Sequence, residues 1–437
     1  MGGVLIDLGE VSPERVPPRP GRPRPMPYRA VLGGLTVLLA ALLTGAMHRG
    51  PPPAPVVIGA RLGDMMFVGE DGVFVVNAGP ELLGSEVHNK VISRYALPSG
   101  ELVSRTTVTV SGAVFSVVAV GRILLVSYQV DTVGAEATVA LTEGTDRALW
   151  RQPSRMLSAS APDGLVLLRE NSPEAGDVTW AGVDLASGAV RWSLRQPVRG
   201  FTTAAVFTDG FPRLLVSATT TGDLEVRDVI TGRVTATARA PVRSQQAGAD
   251  VPVWPTADLV LVGAPQGTTA YALPNLAERW HSPADLTGRW VQDACTTSIC
   301  ALSWQGGLVA LDPATGRQRW SDPRWSYAEQ IGPYLLATRN AATADQQAVS
   351  VLDPITGRVQ GSFGAWHAVG RAGPDGSVIG LREELADDTV WYAGLDPATR
   401  TVRLLGRADR VSGDCQTTRQ VLICRRIDAS VGIWPLK

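Results

Sequence analysis

The sequence predicts an all-β fold, a β-propeller of four-stranded blades, preceded by one transmembrane helix. Three observations carry this expectation. A strand, tight turn and second strand recur eight times between Tyr95 and Leu404, at intervals of about 40 to 46 residues, a period that marks a radial array of blades. An uncharged apolar run fills 30–47. Four cysteines fall into two close pairs, Cys295 with Cys300 and Cys415 with Cys424.

In chain order, 1–29 reads as a disordered cytoplasmic Pro/Arg-rich segment, extended over its Pro/Arg stretch. Its first part, Val4 to Val11, is apolar and is a candidate docking motif for a cytoplasmic partner. The run 30–47 meets the length of a bilayer-spanning helix. Arg15, Arg19, Arg22, Arg24 and Arg29 precede it, and only Arg49 and Arg61 follow closely. That bias keeps the amino terminus in the cytoplasm and the rest outside. A cleaved signal peptide is the competing reading, with Thr44-Gly45-Ala46 as a weak cleavage site. A Pro-rich linker, 48–55, leads into a propeller at 56–437.

The turns specify themselves. The clearest copy is Asp312-Pro313-Ala314-Thr315-Gly316 followed by Trp320; Asp184, Ser187, Gly188 and Trp192 repeat it. Asp228 with Gly232, Asp353 with Gly357, and Asp396 with Arg400 are further copies, and shorter turns stand at Leu97 to Gly100, Leu141 to Trp150 and Leu273 to Trp280. An opening Asp accepts from backbone N–H groups ahead of it, and Gly takes positive φ cheaply. The Trp offers a large apolar surface between blades.

This phrase, A-x-D-x-x-T-G-x-x-x-W, resembles the tryptophan-docking motif of the pyrroloquinoline-quinone-like propeller repeat family, over roughly Gly63 to Leu436. The resemblance implies a membrane-anchored bacterial member. Gly361, Ala236 and Leu404 stand where the Trp belongs, which implies looser blade contacts there. In the dehydrogenases of that family a quinone stacks on Trp beneath a disulfide of adjacent cysteines, with calcium held by Glu, Asn and Asp. No two cysteines are neighbours here, so no cofactor, no metal and no catalytic residue is expected.

Eight complete units reach about Gly406, and three more strands follow at Val411 to Cys415, Val421 to Arg425 and Val431 to Leu436. Val56 to Ala60 could supply a fourth strand. That arithmetic leans to nine, but propellers typically carry four to eight blades, so eight are expected, with seven or nine as alternatives. Each cysteine pair brackets one hairpin, so two local disulfides are expected, consistent with an exported domain.

The net charge of -1 gives no attraction to nucleic acid, and no basic stripe with interleaved aromatics occurs. The four histidines, His48, His88, His281 and His367, are scattered. No phosphate loop, dinucleotide fingerprint or nucleophile elbow stands where the repeat would support it. The expected function is a membrane-tethered, extracytoplasmic, non-catalytic binding or scaffold module with a protein partner on the exported side. A quinoprotein dehydrogenase and a transmembrane sensor are the alternatives.

Overall fold

The computed structural model describes residues 54–78, 88–131, 134–172, 177–197, 200–241, 252–264, 266–292, 295–339, 348–370, 378–384 and 388–436. The leader, the apolar run at 30–47 and most of the linker lie outside them. Among the described residues no helix is long and apolar enough to cross a membrane.

Among the described residues, thirty-six strands form nine four-stranded antiparallel sheets. In chain order these are blades 1 (65–110), 2 (114–152), 3 (155–195), 4 (200–239), 5 (253–282), 6 (289–322), 7 (325–364) and 8 (367–409). Blade 9 joins Val411–Thr417, Val421–Arg426 and Val431–Pro435 to the first strand of the chain, Val56–Ile58. The first strands of neighbouring blades lie against one another, as Met65–Val68 does with Val114–Val120, which places them at the hub.

The expected count of eight is therefore corrected to nine. It assumed that one terminal unit was partial. Instead Val56 pairs with Ile433 and Ile58 with Val431, so two short pieces from opposite ends of the chain complete one blade. Both pieces gain a hydrogen-bonded neighbour that neither has alone.

Nine apolar clusters fill the nine junctions between neighbouring blades. The closing one packs Ile58, Val421, Ile423 and Ile433 of blade 9 on Val73 and Val75 of blade 1. Arg425 adds a hydrogen bond to the Asp64 carbonyl at 2.6 Å across the same seam. Second and third strands are the most buried; Gly72–Val76 is buried throughout, as a strand covered on both faces should be.

Because strands alternate in direction, the turns from third to fourth strand share one face with those from first to second; we term it the turn face. Connections from second to third strand, and from blade to blade, leave the opposite face. The chain enters the ring at Val56 and leaves it at Leu436, both on the turn face.

Candidate functional site

The repeat residues occupy the turn face and the junctions. The Asp184 Oδ1 accepts from the N–H groups of Ala186 and Ser187 at 3.1 and 2.9 Å and from the Ser187 hydroxyl at 2.9 Å. Arg191 donates to Asp184 Oδ2 at 2.7 Å. This set, led by the Arg191 hydrogen bond, holds the Asp184 carboxyl far below the usual carboxylate range. Asp228 accepts from Thr231, Asp353 from Ile355 and Thr356, and Asp396 from Ala398 in the same way. Asp312 accepts from Ala314 at 2.7 Å and from Arg319 at 3.0 Å, and the Thr315 hydroxyl accepts from Arg317 N–H.

Each Trp docks on the turn of the next blade. The indole N–H of Trp192 donates to the Val229 carbonyl at 2.8 Å, and a β-carbon placed on Gly232 would lie 2.4 Å from the Trp192 ring. Trp150 meets Leu185 and Gly188, Trp280 meets Pro313 and Gly316, and Trp320 meets Pro354 and Gly357 in the same manner. The residue paired across the ladder from each Trp is small: Ala140, Gly182, Ala270 and Ala310. Bulk beneath the indole would lift it off the next turn.

The junctions without Trp are filled in other ways, which corrects the expectation of looser contacts at Gly361. There the stem of Arg400, standing where other turns carry Gly, comes within 2.7 Å of a β-carbon built on Gly361. The residue opposite Gly361 is Val351, and the one opposite Ala236 is Val226, so lost indole volume is partly returned by the neighbour. Leu404 is half exposed. Between blades 1 and 2, beside the apolar core of that junction, the docking position itself is polar: Glu143 takes hydrogen bonds from Arg94 at 2.8 Å and Ser104 at 2.7 Å. At the closing seam Val56 packs on Gly100.

Both expected disulfides form, Cys295 with Cys300 and Cys415 with Cys424, with Cα separations of 5.9 and 4.1 Å. Each ties the connection between the first and second strands of its blade, 6 and 9. By loop-closure entropy each contributes about 2 to 3 kcal/mol.

Two features of the described residues stand apart from this framework. On the face opposite the turns, Trp304 joins the second and third strands of blade 6, is 80% exposed and lies 4.7 Å from the Trp290 ring. At the hub, the first strands of blades 3 to 6 border a cavity of about 440 Å³ lined by Leu157, Arg169, Trp180, Phe207 and Trp254 among others. Sequence reasoning singled out neither. The cavity residues share no motif, and Leu157 borders the cavity where a register shift between Met156 and Ser158 bulges its strand. Among the described residues no group of His, Cys, Asp or Glu is placed to hold a metal ion.

No protein-family profile and no curated protein sequence matches the chain. Solved structures similar to it include BamB from Moraxella catarrhalis, at 14% identity over 88% of this chain and 98% of that one, with a TM-score of 0.42. The designed protein Ika8 gives 15% identity over 75% and 98%, with a TM-score of 0.43. The carboxyl-terminal WD40 domain of Sif2 gives 11% over 88% and 99%, also with a TM-score of 0.43. The propeller assignment rests on the strand order and closed ring of the chain itself.

Proposed function

We propose that this protein is a membrane-tethered, extracytoplasmic propeller of the pyrroloquinoline-quinone-like kind that binds a protein partner and performs no catalysis of its own. The observation that carries the reading is the difference between the two faces. On the turn face the signature Asp, Thr and Gly side chains and backbone are spent on turn hydrogen bonds and on seating the neighbouring blade. The strand ends of the opposite face bracket the longer connections 77–87, 240–252 and 340–348 and present Trp304. Surface connections that depart from a repeat are where a rigid scaffold carries recognition, and an exposed Trp is a preferred anchor for a partner. The ring begins at Val56, on the turn face, and the linker that follows the apolar run at 30–47 joins it there.

Two experiments test the reading. A photo-cross-linker placed at 304 should yield a defined protein adduct in intact cells, and one placed at Ile355, exposed on the turn face, should not. Equal labelling from both positions would remove the assignment of faces. A reporter enzyme active only in the cytoplasm, fused after Lys437, should be inactive. For the dehydrogenase alternative, turnover of alcohols or sugars by the protein loaded with pyrroloquinoline quinone and calcium would displace the scaffold reading.

A further inference from the structure

The two disulfides stand in different surroundings. Cys295 and Cys300 are both buried, at 7% and 0% exposure, and the loop between them is locked from outside its own hairpin. Gln330 of blade 7 accepts from the N–H groups of Thr296 and Thr297 at 2.9 and 2.7 Å, Arg319 donates to the Thr297 carbonyl at 2.8 Å, and the Ser298 hydroxyl donates to the Pro354 carbonyl at 2.7 Å. A reagent reaches either sulfur only by opening that loop. The second disulfide has one open end. Cys424 is 0% exposed, whereas Cys415 keeps part of its surface. It stands on the hub strand of blade 9, Val411–Thr417, and borders a cavity of about 440 Å³ together with Met65 and Met66 of blade 1 and Asp414 and Arg425 of its own blade. The ladder around it is irregular. Val411, Gly413, Gln416 and Thr417 have partners on the second strand, with register shifts on either side of Gly413, and Gly413 and Asp414 take φ of +134° and +50°. Cys415 thus falls in a bulged stretch, outside the regular pairing.

Displacement at a disulfide runs along the S–S axis: the entering thiolate approaches opposite the sulfur that leaves, and access to the attacked sulfur governs the rate. With Cys415 on the hub strand and Cys424 on the strand outside it, attack on Cys415 comes from the hub, whereas attack on Cys424 would have to come through blade 9. The cavity volume lies within the range of small-molecule pockets. We infer that Cys415 is a thiolation site for a low-molecular-weight thiol. The thiolate attacks Cys415 Sγ and forms a mixed disulfide there; the bond to Cys424 breaks, and Cys424 Sγ leaves with the electron pair and takes a proton. A second thiolate attacks the small thiol's own sulfur in that mixed disulfide, so the two small thiols leave joined as their disulfide and Cys415 is released as a thiol. The protein disulfide is reduced by two electrons, and the two small thiols are oxidised by the same two.

Peptide mapping of the full-length protein in detergent, exposed to excess glutathione at neutral pH and then alkylated in urea, tests this. Cys415 and Cys424 should become open to alkylation at least about tenfold faster than Cys295 and Cys300, since access governs exchange. Two variants identify the reacting sulfur without reducing any bond beforehand. Treated with glutathione disulfide, C424S should acquire glutathione on Cys415, because nothing remains to displace it. C415S should stay unmodified at Cys424 until urea unfolds it. Equal reduction of the two disulfides, or faster reduction of Cys295 with Cys300, would overturn the inference. So would modification of Cys424 in folded C415S as fast as that of Cys415 in C424S, or no exchange at either disulfide before unfolding. The comparison of the two disulfides needs no variant and stands if C415S or C424S fails to fold.

Discussion

At the scale of the residue, a junction is decided by one backbone angle and one missing side chain. Gly232 has φ +70° and would bring a β-carbon to 2.4 Å from the Trp192 ring, whereas Gly210, at φ +76°, has nothing within 4 Å. G210A should therefore cost only the strain of the backbone, about 1 kcal/mol. G232A adds displacement of a docked indole and should cost about 2 to 4 kcal/mol in all. Urea unfolding of the two variants separates the terms; equal losses would mean that Trp192 yields freely. The turn carboxylates set a pH dependence by the same local logic. The Arg191 hydrogen bond and the Ser187 donors depress Asp184, and the Thr356 N–H depresses Asp353. In the unfolded chain these groups return to a pKa of about 3.9, so there the unfolded state binds more protons and stability rises with pH. Their contribution is complete above the unfolded value and is lost as pH falls through it toward the folded values. D184N should be less stable than the parent at neutral pH, and the difference should shrink as the pH drops below about 4, read as melting temperature by circular dichroism.

At the scale of the element, the turn phrase was legible because its chemistry is local. Asp, Thr and Gly act on residues two to four positions away, so a single stretch of sequence contains both the hydrogen-bond donor and its acceptor. The cysteine pairs were legible for the same reason. The Gly361 junction was not, because its solution, the Arg400 stem, lies in the next blade and replaces an expected glycine. The two positions should be coupled. G361W alone places an indole against Arg400, and R400G alone leaves a gap; the double variant should be more stable than the sum of the single losses by about 1 to 3 kcal/mol. Because Val351, rather than Ala, lies opposite residue 361, adding V351A should recover more. An additive cycle from equilibrium unfolding would show that this junction tolerates any filling. The hub cavity was illegible for a further reason: Leu157, Arg169, Phe207 and Trp254 come from three blades, and meet only because successive blades pack side by side around the hub.

At the scale of the whole molecule, the ring depends on a strand of three residues. Composition and period implied the propeller, but the count turned on whether Val56 to Ala60 joined the last unit. Structure assigns it to the outer edge of blade 9, so that blade is complete only when the two ends of the chain meet. A chain starting at 54 should melt as the parent does. A chain starting at 61 loses that edge, the Val56 contact with Gly100 and the burial of Ile58, and should unfold earlier and less cooperatively, since each blade is stabilised chiefly by its neighbours. Coincident melts for the two chains would show that blade 9 holds with three strands.

The same strand has a mechanical meaning. A pull on the chain ahead of Val56 is borne first by the ladder of Val56, Val57 and Ile58 with Ile433, Gly432 and Val431. Tension along the strand loads these bridges together as shear, whereas tension across it would peel them apart one after another. The ring is thus clasped at the point where any tether on its amino-terminal side would load it, and the direction of load decides whether the clasp holds or opens.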